Sequence, residues 1–260
     1  METIDIKHLI KEAKHNEDAM IILGCCYQNG YGVKQDCFKA MKYFLNASYK
    51  GNVLAKEQVA KLYMDFYEYF GSAEKEMKEL IHKHNNPNGY CLLTELYLKY
   101  GKQNEAKESL DKAIELNAPN KNYLLGKLHT SGSLVEKDPQ KAFEYFQKSA
   151  QEENDIGKCE LALCYLNGIG TQKDVTKALE YLTPLANKVA STMRSRLYLA
   201  MGILQNKIED RYQEAINLLN SVSYKINEKN TESLDWTYCN AICLLYGLGV
   251  SVTQNKGLSC

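Results

Sequence analysis

One spacing recurs along this chain and limits what it can fold into. Gly24 and Gly30 stand six residues apart, as do Gly126 and Gly132, Ala162 and Gly168, and Ala241 and Gly247. Twelve residues after the same four starts come Asp36, Asp138, Asp174 and Thr253; sixteen after come Ala40, Ala142, Ala178 and Gly257. Nineteen after, the first three carry Tyr43, Tyr145 and Tyr181. Gly126 and Ala162 set a period of 36 residues, which belongs to stacked-repeat architectures. Agreement at so many offsets makes coincidence untenable.

Each repeat reads as a pair of helices. From Ala19 to Asn29 the apolar residues fall three and four apart, the mark of a helix with one buried face. Gly30 and Gly32 stop it, because glycine enters the left-handed conformation of a helix C-terminus without a side-chain clash. Asp36, Asp138 and Asp174 sit where a second helix begins, and there a carboxylate accepts hydrogen bonds from free amides. Pro139 follows Asp138 and suits a first helical turn. The second helices run through Lys39-Ala40-Met41-Lys42-Tyr43-Phe44, Lys141-Ala142-Phe143-Glu144-Tyr145-Phe146 and Lys177-Ala178-Leu179-Glu180-Tyr181-Leu182. Their alanines let helices approach closely, and the aromatics fill the space beside them.

The pattern Leu-Gly-x-x-Tyr-x-x-Gly-x-Gly-Val-x-x-Asp-x-x-Lys-Ala-x-x-Tyr-Phe resembles the Sel1-like repeat, a relative of the tetratricopeptide repeat. Residues 90–117 are similar to a plain tetratricopeptide unit through Tyr90, Leu93, Tyr97, Ala106, Leu110 and Ala113. Segments 52–86 and 196–222 are degenerate, marked by Ala60, Tyr63 and Ala73 and by Ala200, Tyr212 and Ala215. The resemblance implies an all-α fold, a right-handed α-solenoid of helix-turn-helix repeats. Residues 1–260 are expected to form a single solenoid, with repeats at 17–51, 52–86, 88–119, 120–154, 156–190, 196–228 and 233–260. The last stops at Cys260, just after its loop. Either the array ends on a half repeat or the chain is a module of something longer.

Composition narrows the function classes. Lysine plus arginine and aspartate plus glutamate each number 32, and a net charge of zero argues against a nucleic-acid binder needing many phosphate contacts. The N-terminus, Met1-Glu2-Thr3-Ile4-Asp5-Ile6-Lys7, lacks a signal peptide's apolar stretch, and the run Ala19–Tyr27 is too short to cross a bilayer. A cytoplasmic protein without membrane insertion is therefore expected. The nine cysteines, an odd number, then suggest reduced thiols. Cys26, Cys91, Cys159, Cys164, Cys239 and Cys243 fall on expected first helices, where a thiol packs like a small apolar group. Cys239 and Cys243 share a helical face but lack the further ligands of a zinc site.

Other chemical signals dissolve on inspection. Gly30-Tyr31-Gly32, Gly168-Ile169-Gly170 and Gly247-Leu248-Gly249 follow helices, not the strand that a phosphate-binding loop requires. His82-Lys83-His84 runs into Asn85-Asn86-Pro87-Asn88-Gly89 and reads as an exposed linker. His129 occupies a framework tyrosine position. No nucleophile elbow or zinc-protease motif is present, so no catalytic residue, metal or cofactor is expected. The resemblance has a cysteine-rich branch linked to penicillin binding and β-lactam hydrolysis, with a cysteine late in each second helix. Here those places hold Ala47-Ser48 and Ser149-Ala150, so that branch stands only as the alternative function.

A surface remains. By resemblance, first helices line a concave groove that receives a peptide or protein element. The expected contacts are Ile21, Gln28, Glu95, Leu98, Tyr123, Lys127, Thr130, Leu166, Tyr238 and Leu245. Only Lys127 and Glu95 among them are charged, which does not match the lysine and asparagine clamp of chaperone-binding relatives. The groove therefore suits an apolar or aromatic segment, and the chain reads as a non-catalytic scaffold or adaptor. The competing explanation is that parts of these rows simply pack against neighbouring first helices.

Overall fold

The computed structural model describes residues 5–30, 32–65, 69–188 and 193–223. Their regular structure is helical throughout, in two compact units spanning Met1–Asp174 and Val175–Cys260. The first unit opens with α1 (Ile6–Glu12) and continues through α2 (Glu17–Asn29), α3 (Cys37–Tyr49), α4 (Val53–Asp65) and α5 (Phe70–His84). It is completed by α6 (Asn88–Lys99), α7 (Gln103–Glu115), α8 (Lys121–Ser131), α9 (Pro139–Gln151) and α10 (Asp155–Asn167). In the first unit the even-numbered helices α2 to α8 are the first members of pairs and the odd-numbered α3 to α9 the second. The second unit contains α11 (Val175–Asn187), α12 (Met193–Gln205) and α13 (Tyr212–Ser223), the last preceded by a 3₁₀ turn at Glu209–Arg211. There α12 pairs with α13. The expected last repeat, 233–260, and residues 224–232 before it lie outside the described residues.

The loop inside a pair is built the same way each time. Gly30, Gly132 and Gly168 cap α2, α8 and α10 in the left-handed conformation, with φ of 66°, 77° and 69°. The chain then turns so that the amide of Asp36, Asp138 or Asp174 donates to the carbonyl of Tyr27, His129 or Tyr165, at 2.9, 3.0 and 2.9 Å. Asp36 and Asp138 in turn accept the amides of Lys39 and Lys141 at 2.9 and 3.0 Å and start α3 and α9. Those amide bonds, with the adjacent lysines, hold both carboxyls below their ordinary range. Gly170 answers a different demand. A Cβ there would lie 2.1 Å from the Pro139 carbonyl oxygen, because the loop abuts the start of α9.

Within a pair, one contact sets the distance between helices. The Phe44 ring lies so close to Gly24 that an added Cβ would meet it at 2.6 Å, and Phe146 stands over Gly126 at 2.5 Å. Phe44 is fully buried and Phe146 is 4% exposed. Between pairs, small residues five positions before the Gly24-type site permit the next approach. A Cβ on Gly89 would meet Ile81 and the Met77 carbonyl at 2.7 and 2.8 Å, and one on Gly157 would meet Ser149 Oγ at 2.3 Å. Leu23, Phe44, Ala55 and Val59 join one apolar cluster, Met77, Leu80 and Leu96 a second, and Leu110, Leu124 and Leu128 a third. Each such aliphatic or aromatic side chain contributes about 1.5–3 kcal/mol by leaving water. In the second unit Leu182, Leu197, Leu199 and Ile203 are fully buried, and Arg211 grips both oxygens of Glu214 at 2.7 and 2.9 Å.

His129 shows how tightly the framework is specified. It stacks on Tyr145 with centroids 5.5 Å apart and planes 9° from parallel, as Tyr27 stacks on Tyr43 at 5.7 Å and 6°. Its Nδ1 lies 2.9 Å from the Glu136 carbonyl, which can only accept, so that nitrogen carries the proton. The histidine is a stacking residue in a tyrosine's place.

A Gly24→Ala variant should lose about 1–3 kcal/mol of stability to overpacking against Phe44, less up to ~1 kcal/mol of helix propensity gained. Gly71→Ala, whose methyl would meet nothing within 4 Å, should hold or raise the urea midpoint.

Candidate functional site

Three rows of first-helix side chains define the surface. Three residues before the Gly24-type position the first unit carries Ile21, Glu57, Cys91, Tyr123 and Cys159. One residue after it come Cys25, Lys61, Glu95, Lys127 and Leu163, and four after it Gln28, Met64, Leu98, Thr130 and Leu166. Glu57, Lys61 and Met64 escaped the sequence reading because their repeat lacks the glycines that would have set its register. Counting from Ala60 recovers them.

The two expected charges find each other. Lys127 Nζ on α8 lies 2.7 Å from Glu95 Oε1 on α6, so the ion pair bridges neighbouring first helices and its net charge cancels. Around it, Leu98 is half-buried against the apolar clusters, and Tyr123 is half-buried with its ring 6.4 Å from that of Phe146. Thr130 is exposed, its hydroxyl donating to the Gly126 carbonyl at 2.9 Å. Glu95, Leu98, Tyr123, Lys127 and Thr130 thus share adjoining helices α6 and α8. Gln28 is half-buried on α2, where its backbone carbonyl accepts the Gln35 amide at 2.8 Å.

Ile21 and Leu166 depart from the expectation. They are 8% and 3% exposed, so packing consumes the surface a ligand would need. Tyr238 and Leu245, with Cys239 and Cys243, lie outside the described residues.

Behind this surface, polar bonds fix the helices. Glu57 on α4 accepts the side-chain amides of Asn86 and Asn88 at 2.8 and 3.1 Å, which ties α4 to the turn leading into α6. Asn154 donates to Asn120 Oδ1, and Asn122 to Glu152 Oε1, both at 2.7 Å, linking the turns that start α8 and α10. Tyr97 donates to Glu74 at 2.6 Å; burial and that bond push its hydroxyl upward. Each of these carboxylates and amides is committed to structure.

Burial keeps the Cys25, Cys91 and Cys164 thiols protonated. Cys25, Cys91 and Cys164 are free thiols. Burial, aided by Glu95 and Glu57, pushes Cys91 up to about 12, and burial with Glu160 does the same to Cys164. Among the described residues no group of three or more histidine, cysteine or acidic side chains could hold a metal ion. Nor is any described helix long and apolar enough to cross a membrane. At pH 8, iodoacetamide should leave Cys91 and Cys164 unlabelled in the folded protein and label both in urea, read by peptide mass spectrometry. Equal labelling in both conditions would contradict their burial.

Residues 17–52, 122–154 and 157–188 match the family model of the Sel1 repeat. No curated protein matches the chain significantly. A crystal structure of a Sel1 repeat protein from Oxalobacter formigenes is similar over 86% of this chain and 92% of its own, at 21% identity and a TM-score of 0.50. A protective antigen present in uropathogenic Escherichia coli strains, displaying an SLR fold, is similar over 92% of this chain and 56% of its own, at 21% identity and a TM-score of 0.45. Yeast Tom70 is similar over 94% of this chain and 58% of its own, at 15% identity and a TM-score of 0.44.

Proposed function

We propose that this chain, three stretches of which match the Sel1 repeat, is a non-catalytic scaffold that holds a peptide or protein element against its first helices. The observation that carries this reading is the accessible surface on α6 and α8, where Glu95 and Lys127 neutralise one another beside Leu98, Tyr123 and Thr130. A surface whose charges are already paired offers an incoming segment apolar area and hydrogen bonds without the cost of an unmatched buried ion. The partner is accordingly a segment with aliphatic or aromatic side chains, seated between Leu98 and Tyr123.

Among the described residues, the free thiols Cys25, Cys91 and Cys164 support a reducing, cytoplasmic setting. The hydrolase alternative of the cysteine-rich branch has no observation in its favour.

A photo-crosslinking residue placed at Thr130 should capture a partner from cell extract, while the same residue at Glu144, on the opposite helix of the pair, should not. Leu98→Ala with Tyr123→Ala should cut that capture by about tenfold or more, the loss expected when central apolar contacts are removed. Equal capture at both positions, or capture indifferent to the double variant, would sink the groove reading.

A further inference from the structure

The repeat contains its own internal comparison. Two, six, nine and thirteen residues after the capping aspartate, α9 carries Gln140, Glu144, Gln147 and Gln151, and α11 carries Thr176, Glu180, Thr183 and Asn187. At the same four places α3 carries Phe38, Lys42, Leu45 and Tyr49. Spacings of four, three and four residues put them in one stripe, about 16 Å long, along α3, with Leu45 packed against the buried apolar cluster and the other three exposed. Phe38 is 85% exposed and Tyr49 82%; Lys42 is exposed and Leu45 half-buried. Two repeats build the same helix with polar residues at these places, so the fold does not require the aromatics.

We propose that this stripe of α3 docks an amphipathic helix of a partner protein, one whose apolar seam is flanked by acidic side chains. The charge pattern selects the partner. Where the other repeats carry Glu144 and Glu180, α3 carries Lys42, and the helix from Cys37 to Tyr49 contains no acidic residue. Lys39 is already held by Asp36 at 3.4 Å and lies over the Tyr27 ring, whereas Lys42 has no ion-pair partner among the described residues. A second copy of this chain fits poorly, because a twofold axis on the stripe would bring Lys42 towards its own image. A lipid surface fits poorly too, since an interfacial helix presents a broad apolar face and this stripe is one side chain wide. The four-three-four spacing instead matches the seam of two helices packed along their length. This surface lies on a second helix and stands apart from the first-helix groove.

Two stapled helical peptides test it, each with leucine at the seam positions and either glutamate or lysine on both flanks. By fluorescence anisotropy the glutamate peptide should bind about tenfold tighter than the lysine peptide, and Lys42→Glu should reverse that order. Phe38→Gln with Tyr49→Gln borrows glutamine from the equivalent places on α9 and so keeps the fold, checked by circular dichroism. It should weaken the glutamate peptide by tenfold or more. Equal affinity for the two peptides, or binding unchanged in the aromatic double variant, would overturn the proposal. So would dimerisation that the double variant abolishes, or binding to phosphatidylserine vesicles in place of the glutamate peptide.

Discussion

The approach of a phenylalanine ring to a bare glycine sets the geometry of a helix pair here. Phe44 over Gly24 and Phe146 over Gly126 leave no room for a single methyl group, and both rings are buried. Interiors packed to that density resist any change in the distance between the helices. The loop between them must therefore close at fixed length, and the bond from the aspartate amide to the carbonyl nine residues before it recurs three times. Stacked rings at Tyr27–Tyr43 and His129–Tyr145 complete the pair.

Stacking of one pair on the next uses a different contact. Gly89 and Gly157 admit the preceding second helix where a Cβ would not fit, and asparagine side chains then lock the turns together. With both distances set by small residues, most inward positions are committed to packing. Among the described residues that the framework leaves accessible are outward positions of α6 and α8 and the stripe along α3. The repeat places almost no constraint on such positions.

Much of this was legible in the sequence because the signals were local. Gly30, Gly132 and Gly168 announced helix ends, Asp36 and Asp138 announced helix starts, and Pro139 confirmed one of them. The asparagine caps at Asn16 and Asn154, which accept amides at 2.9–3.2 Å, carried an equally local signal and went unread. What the sequence hid was adjacency across repeats. Glu95 and Lys127 are 32 residues apart, and nothing in one strip of sequence says that they meet. Burial was hidden for the same reason: Ile21 and Leu166 occupy the rows assigned to a ligand, yet their surroundings come from other segments. Phe38 and Tyr49 passed as ordinary helix residues until their exposure set them beside Gln140 and Gln151.

The most direct measurement of the central claim is a double-mutant cycle on the second close contact, with Gly126→Ala and Phe146→Leu made singly and together and each unfolded in urea. If the ring sets the helix distance, the penalty of the alanine should shrink in the leucine background, with a coupling of about 0.5–3 kcal/mol, the range for residues in direct contact. Strictly additive losses would contradict the account, because the alanine would then cost the same whether or not the ring stands over it.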